Sequence, residues 1–225
     1  MNECGGKKEG LTSWNIGEDF ASMGIGHFIW CPKKNKCPFE EQFPKLLIFF
    51  EENNITLPKW LNDDRSCPWN SRDEFQKNLY SDKLEDLRSL LLKTIDIQVL
   101  FITNNLKQSL NRMMDSICES KKKHIRYQID RLISFPNGLY ALIDYRNFKG
   151  DGSCPDENYR GVKWGLLQVL EQMPYPDKQH NVIKEFINSA KTLLIQRVKN
   201  APKERNEERW LKGWFNRLET YNLTL

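Results

Sequence analysis

A chain of 225 residues with 39% hydrophobic, 12% aromatic and 28% charged side chains has the composition of a globular protein, which excludes an intrinsically disordered chain. Its longest apolar runs, such as Leu46 to Phe50, fall far short of the roughly 20 residues of a membrane-spanning helix, so no membrane span is expected. The formal charge is +4, and the stretch from Tyr175 to Leu225, with ten Lys/Arg against six Asp/Glu, accounts for all of it; such a basic quarter favours an anionic polymer by an unselective, salt-sensitive attraction.

Gly5 to Lys36 is rich in Gly, Ser, Asn and aromatics and alternates over Phe20 to Ile25, the pattern of turns and a small β-hairpin at about residues 13–30. From about residue 43 to 222 helical signals follow one another. Pro44 opens a helix through Phe50 with Asn53-Asn54 as its stop, and Ser71-Arg72-Asp73-Glu74 has the form of a capping box ahead of Phe75 and Leu79. Between Asp82 and Glu119 the apolar positions Leu84, Leu87, Leu91, Ile95, Val99, Ile102, Leu106, Leu110, Met113 and Ile117 recur at helical spacing, which predicts one long helix or two joined near Thr94. Further helices are expected over Lys121–Ile133, Gly138–Asn147, Trp164–Glu171, Lys178–Val198 and Glu207–Tyr221, separated by Pro or Gly. Phe148 to Val162 is the longest non-helical stretch of the second half, and a loop of that length is a candidate cleft wall.

Six cysteines are scattered with no Cys-x-x-Cys pair, so neither a metal site nor a cofactor is expected. Cys31 and Cys37, separated by Pro-Lys-Lys-Asn-Lys, are compatible with a disulfide if the protein is exported. The first residues lack the basic start and apolar stretch of a secretory signal. The chain is therefore expected to be cytoplasmic or, if a signal has been removed, periplasmic or secreted.

The strongest local pattern is Ser22-Met23-Gly24-Ile25-Gly26-His27, preceded by Gly17-Glu18-Asp19-Phe20 and followed by Phe28-Ile29-Trp30. It resembles the Gly-Ile-Gly-His hairpin of phage-type lysozymes, in which a hydroxyl residue stands where Ser22 stands here. Asn2-Glu3-Cys4-Gly5-Gly6 is similar to the Glu-plus-small-residue element of goose-type lysozymes and lytic transglycosylases, whose Glu is the acid. The resemblance is specific over Asn2 to Trp30 and architectural beyond it. It implies a single lysozyme-like domain of the α+β class, predominantly helical with a small N-terminal β-hairpin. It also implies hydrolysis of a β-1,4-linked amino-sugar polymer, with peptidoglycan as the first choice. In those families the acid lies near the end of a helix, whereas only Met1 and Asn2 precede Glu3, so this chain is expected to lack both that helix and a signal.

Cleaving a glycosidic bond needs a carboxylic acid on the leaving oxygen and a second carboxylate or positioned water on the other face of the sugar. On that chemistry Glu3 is the candidate acid, Glu18 or Asp19 the assisting carboxylate, and Ser22 the group that orients water. Glu18 and Asp19 are adjacent, so on a strand only one aims at a cleft, and Glu18 is preferred. His27 is expected in a structural role. Tyr145, Asn147 and Lys149 before the long loop, and Tyr159 and Trp164 at its end, mix aromatic faces with hydrogen-bonding groups and are candidate saccharide-binding residues; Tyr145 and Trp164 serve equally well as core.

The polysaccharide is the expected partner. The basic and aromatic stretch Arg209 to Arg217 reads as a terminal amphipathic helix docked through Trp210, Trp214 and Leu218 rather than as a nucleic-acid interface. Rival activities are a lytic transglycosylase and a chitosanase-like enzyme, the latter disfavoured by the positive charge. A non-catalytic glycan-binding protein is the rival of another class.

Overall fold

A computed structural model describes residues 8–33, 37, 40–175 and 181–222. The fold is α+β and predominantly helical, with one small antiparallel sheet near the N-terminus. Its internal contacts group into two compact units, residues 1–104 and 105–225.

In the first unit a 3-10 turn over Lys8–Leu11 leads into β1 (Thr12–Ser13), followed by β2 (Ala21–Met23) and β3 (Phe28–Trp30). The sheet runs β1-β2-β3, all antiparallel, with Ser22 opposite both Ser13 and Ile29. The expected in-out alternation is absent from the middle strand, where Ala21, Ser22 and Met23 are all buried. Two neighbours and the helices after the sheet cover it, so a strand this short has no solvent face.

Helix α1 (Phe43–Glu52) begins on Pro44 as its first-turn proline and closes at Asn53, with Asn54 in the left-handed region at φ 58°. A short helix α2 (Lys59–Asp63) follows. In α3 (Arg72–Lys77) Ser71 caps the N-terminus by accepting from the Glu74 amide at 3.2 Å. The return half of the box is shifted by one residue, because the Glu74 carboxylate accepts from the Asn70 amide at 2.8 Å.

The long periodic stretch is two helices, α4 (Asp82–Lys93) and α5 (Ile95–Asp115), meeting at Thr94. The Thr94 hydroxyl donates to the Leu90 carbonyl at 2.8 Å, a back-bond of the kind that bends helices. The core of this unit gathers Met23, Trp30, Phe43, Leu46, Phe50, Phe75 and Leu87, among others. Trp30, Phe43 and Trp69 pack ring against ring there.

The second unit takes up the later part of α5 and adds α6 (Glu119–Ile133), α7 (Gly138–Lys149), α8 (Leu166–Gln172), α9 (Val182–Asn200) and α10 (Leu211–Glu219). Helix α8 packs on α6 and α9, and α10 packs on α9. Leu142, Tyr145, Leu166, Leu170, Phe186, Ala190, Leu194, Leu218 and Tyr221 lie at its centre.

Asn181 caps α9 by accepting from the Ile183 and Lys184 amides, and the expected start at Lys178 lies outside the described residues. Helix α7 runs two residues past Asn147 because its stop is Gly150, at φ 79°, a conformation that costs glycine little. The expected docking of the last helix holds for Leu218, which is buried, and in part for Trp214. Trp210 stays 42% exposed, since the turn before α10 is 3-10 and shifts its phase.

Among the described residues no helix is long and apolar enough to cross a membrane.

Candidate functional site

The Gly-Ile-Gly-His pattern forms the turn between β2 and β3. Gly24 sits at φ 71° and His27 at φ 47°, so His27 belongs to the turn rather than to a strand. Gly24 donates to the Leu11 carbonyl at 2.7 Å, and Ile25 donates to the side-chain oxygen of Gln98 at 3.0 Å. Gln98 is fully buried and donates in turn to the Leu91 carbonyl at 2.7 Å and the Thr94 hydroxyl at 3.2 Å. The turn is thereby clipped to the junction of α4 and α5.

The glycines are what make the clip possible. A Cβ on Gly24 would lie 2.3 Å from the Gln98 oxygen, and one on Gly26 would lie 2.7 Å from the Phe28 ring.

Upstream, residues 14–20 form a loop between β1 and β2. The Trp14 indole donates to the Glu18 carbonyl at 2.7 Å, and the Asn15 amide donates to the Glu18 carboxylate at 3.1 Å. Glu18 is thus a half-buried, oriented carboxylate, and Asp19 beside it is exposed. Neither lies on a strand, because Gly17 turns the chain at φ 84°, so the opposite-face argument for choosing between them does not apply. Burial and the Asn15 contact favour Glu18 instead.

Ser22 is only 3% exposed on the middle strand. Its hydroxyl is enclosed, which removes it from the role of orienting a solvent water. Glu3, the expected acid, lies outside the described residues. Arg88, also buried, donates to the Thr12 hydroxyl at 2.9 Å and holds β1 against α4.

The five candidate saccharide-binding residues all belong to the second unit, and four of them gather in one place. Tyr145 is fully buried and its hydroxyl donates to the Trp164 carbonyl at 2.8 Å. The Trp164 ring lies 4.7 Å from that of Tyr159 and 4.1 Å from the Arg197 guanidinium. Arg197 is paired through two bonds, at 2.7 and 2.9 Å, to Glu207, and the Tyr159 hydroxyl donates to Glu207 at 2.8 Å. Comparisons with protein-family models, with curated proteins and with solved structures return no match.

Burial pushes the Glu207 carboxyl up, but the bonds from Arg197 and Tyr159 and the charges of Arg197 and Arg205 outweigh it and hold the group below its ordinary range. Lys149 completes the cluster, with its amine 3.5 Å from the Trp214 ring centre and 4.0 Å from that of Phe148. A parallel pair sits alongside, in which Arg217 holds Asp144 through two bonds at 2.9 and 2.8 Å and the Tyr221 hydroxyl donates to the same carboxylate at 2.6 Å.

This arrangement corrects the reading of Tyr145, Lys149, Tyr159 and Trp164 as a saccharide platform. Their ring faces and polar ends are engaged by one another and by Arg197, Glu207 and Trp214, and three of the four are 9% exposed or less. Asn147 is exposed, on the far side of α7, and accepts from Arg146 at 3.0 Å.

The residues that sequence reasoning missed are Asp144, Arg197, Glu207 and Arg217. Asp144 and Arg217 are 73 residues apart, a separation that leaves no mark on periodicity, and Arg197 and Glu207, ten residues apart, join a helix to the 3-10 turn beyond it. For Asp144, Arg197 and Arg217 the available signal was their placement in phase with apolar residues on otherwise amphipathic helices.

The long loop is also more ordered than its composition suggests. Tyr159 and Val162 exchange backbone hydrogen bonds at 3.0 Å across Arg160 and Gly161, both at positive φ, the signature of a tight hairpin turn.

Proposed function

We propose that this chain is a lysozyme-like glycoside hydrolase that cleaves a β-1,4-linked amino-sugar polymer, with peptidoglycan as its substrate. The observation that carries the reading is Glu18. It is a half-buried carboxylate oriented by Asn15 in a loop of a small antiparallel sheet, whose next turn is the Gly24–His27 pattern clipped to Gln98.

In this reading Glu3 protonates the leaving oxygen, and Glu18, with Asp19 as the alternative, assists the attacking water or the oxocarbenium-like centre on the other face of the sugar. The two roles require one carboxyl protonated and one ionised near neutral pH. The net positive charge supports an anionic polymer over a cationic one, and hence peptidoglycan over chitosan. The Cys31–Cys37 disulfide is in keeping with an oxidising compartment.

The test is turbidity loss of purified cell walls by the protein, its Glu3→Gln variant and its Glu18→Gln variant. A fall of at least ~100-fold in either variant is expected from loss of a general acid or base. Equal rates in all three would refute the assignments. Binding of the glycan with no new reducing ends would refute hydrolysis in favour of a glycan-binding protein, and released fragments lighter by one water would show transglycosylation.

A further inference from the structure

Of the asparagines, only Asn54 and Asn222 stand two residues before a serine or threonine, in Asn54-Ile55-Thr56 and Asn222-Leu223-Thr224. Asn-x-Ser/Thr, with x other than proline, is the acceptor pattern for an N-linked glycan, a bulky polar group that belongs on a surface residue. Thr224 lies outside the described residues, so the geometry bears on Asn54.

Asn54 follows the last turn of α1. Its amide donates to the Glu51 carbonyl at 2.9 Å, and the Ile55 amide donates to the Phe50 carbonyl at 2.9 Å. These are the paired bonds of a Schellman cap, with Asn54 at φ 58° as its left-handed residue. Ile55 packs against the core of the first unit, while Asn54 and Thr56 on either side of it are exposed. Among the described residues neither the Asn54 carboxamide nor the Thr56 hydroxyl has a hydrogen-bond partner.

The cap by itself accounts for a residue that tolerates positive φ at position 54, a demand that glycine meets at lower cost. It does not account for a threonine at 56. The hydroxyl has no role in the local structure, whereas an acceptor site requires it. A second observation points to the same chemistry. The Cys31–Cys37 disulfide of the same unit is a bond of oxidising compartments, and the secretory pathway, where N-linked glycans are attached, is one of them.

We propose that Asn54 is an N-glycosylation site that takes an oligosaccharide from a lipid-linked diphosphate donor. The carboxamide nitrogen attacks C1 of the donor's first sugar, the C1–O bond to the diphosphate breaks, and its electron pair leaves with the diphosphate. One amide proton passes to a base of the transferase that brings acceptor and donor together, and no oxidant or reductant is consumed. The glycan projects from a turn whose neighbours Glu51, Glu52 and Thr56 are all exposed. Its attachment does not depend on hydrolase activity.

The test translates the full chain behind a cleavable secretion signal in the presence of microsomes. Translocated, protease-protected chains are analysed by peptide mass spectrometry before and after treatment with a peptide N-glycosidase, so that Asn54 and Asn222 are read separately. A glycan on Asn54 in most translocated chains is expected, with an aspartate left in its place by the glycosidase. Thr56→Ala should lose that glycan while leaving Asn54 and the cap intact, and Thr56→Ser should keep it. Asn54→Gly should also lose it, yet fold with a urea midpoint no lower than that of the unglycosylated parent, because glycine suits the left-handed position. A bare Asn54 in most translocated chains would overturn the proposal, and so would a glycan there that survives Thr56→Ala.

Discussion

Asp144 offers the sharpest test of how the second unit is held together. Its carboxylate is 5% exposed and accepts two bonds from Arg217, at 2.9 and 2.8 Å, and one from the Tyr221 hydroxyl at 2.6 Å. Tyr221 is itself fully buried, and burial first and the Asp144 charge next raise its phenol well above its ordinary value, so it remains a donor at any working pH.

Asp144→Asn keeps the shape but removes the charge, and an amide presents one acceptor oxygen where two stood. Arg217 would be left without a counter-ion at 26% side-chain exposure. Removing one partner of a buried pair costs about 3–5 kcal/mol. The partial exposure of Arg217 lets water recover some of this, so a loss of about 3 kcal/mol is expected. For a protein of this size that is a fall of roughly 6–12 °C in Tm. Circular dichroism melts and urea titrations of the two proteins measure it. The double variant Asp144→Asn/Arg217→Met, which removes the orphaned charge, should recover at least ~1 kcal/mol. A single-variant loss under ~1 kcal/mol, or a double variant no better than the single, would refute the reasoning.

Gly24→Ala is expected to cost ~2–4 kcal/mol. A side chain at φ 71° is strained, and the new Cβ displaces the Gln98 oxygen, leaving the Ile25 amide without its acceptor; a urea midpoint within error of the parent would contradict this. Acid should weaken the second unit through Glu207. Its carboxyl is held below the ordinary range in the folded state, so the stability it contributes is present above about pH 4.3, the unfolded value, and is lost as the pH falls through the depressed folded one. Urea unfolding at pH 7, 5 and 3 should therefore show a shallower acid loss for Glu207→Gln than for the parent, and parallel curves would exclude Glu207 as a source of the acid sensitivity.

Local patterns along the chain place most of the helices. Helical spacing marked the long stretch from Leu84 to Ile117 and offered a junction near Thr94; Pro44, Asn53-Asn54 and Ser71 marked ends that local chemistry produces without distant help. The turn at Gly24 was legible for the same reason, since positive φ is a local demand that glycine meets.

Which residues end up beside one another depends on packing between distant segments. The burial of Ser22 depends on two neighbouring strands and the helices packed around them, and nothing in its own segment distinguishes it from a serine that faces water. Tyr145, Lys149, Tyr159 and Trp164 were legible as a group but not as a buried one, because the residues that enclose them, Arg197, Glu207 and Trp214, come from elements tens of residues later in the chain. A charge pair such as Asp144 with Arg217 is written at separations that periodicity does not sample, and it acquires meaning only when the chain is packed and water is excluded from around it.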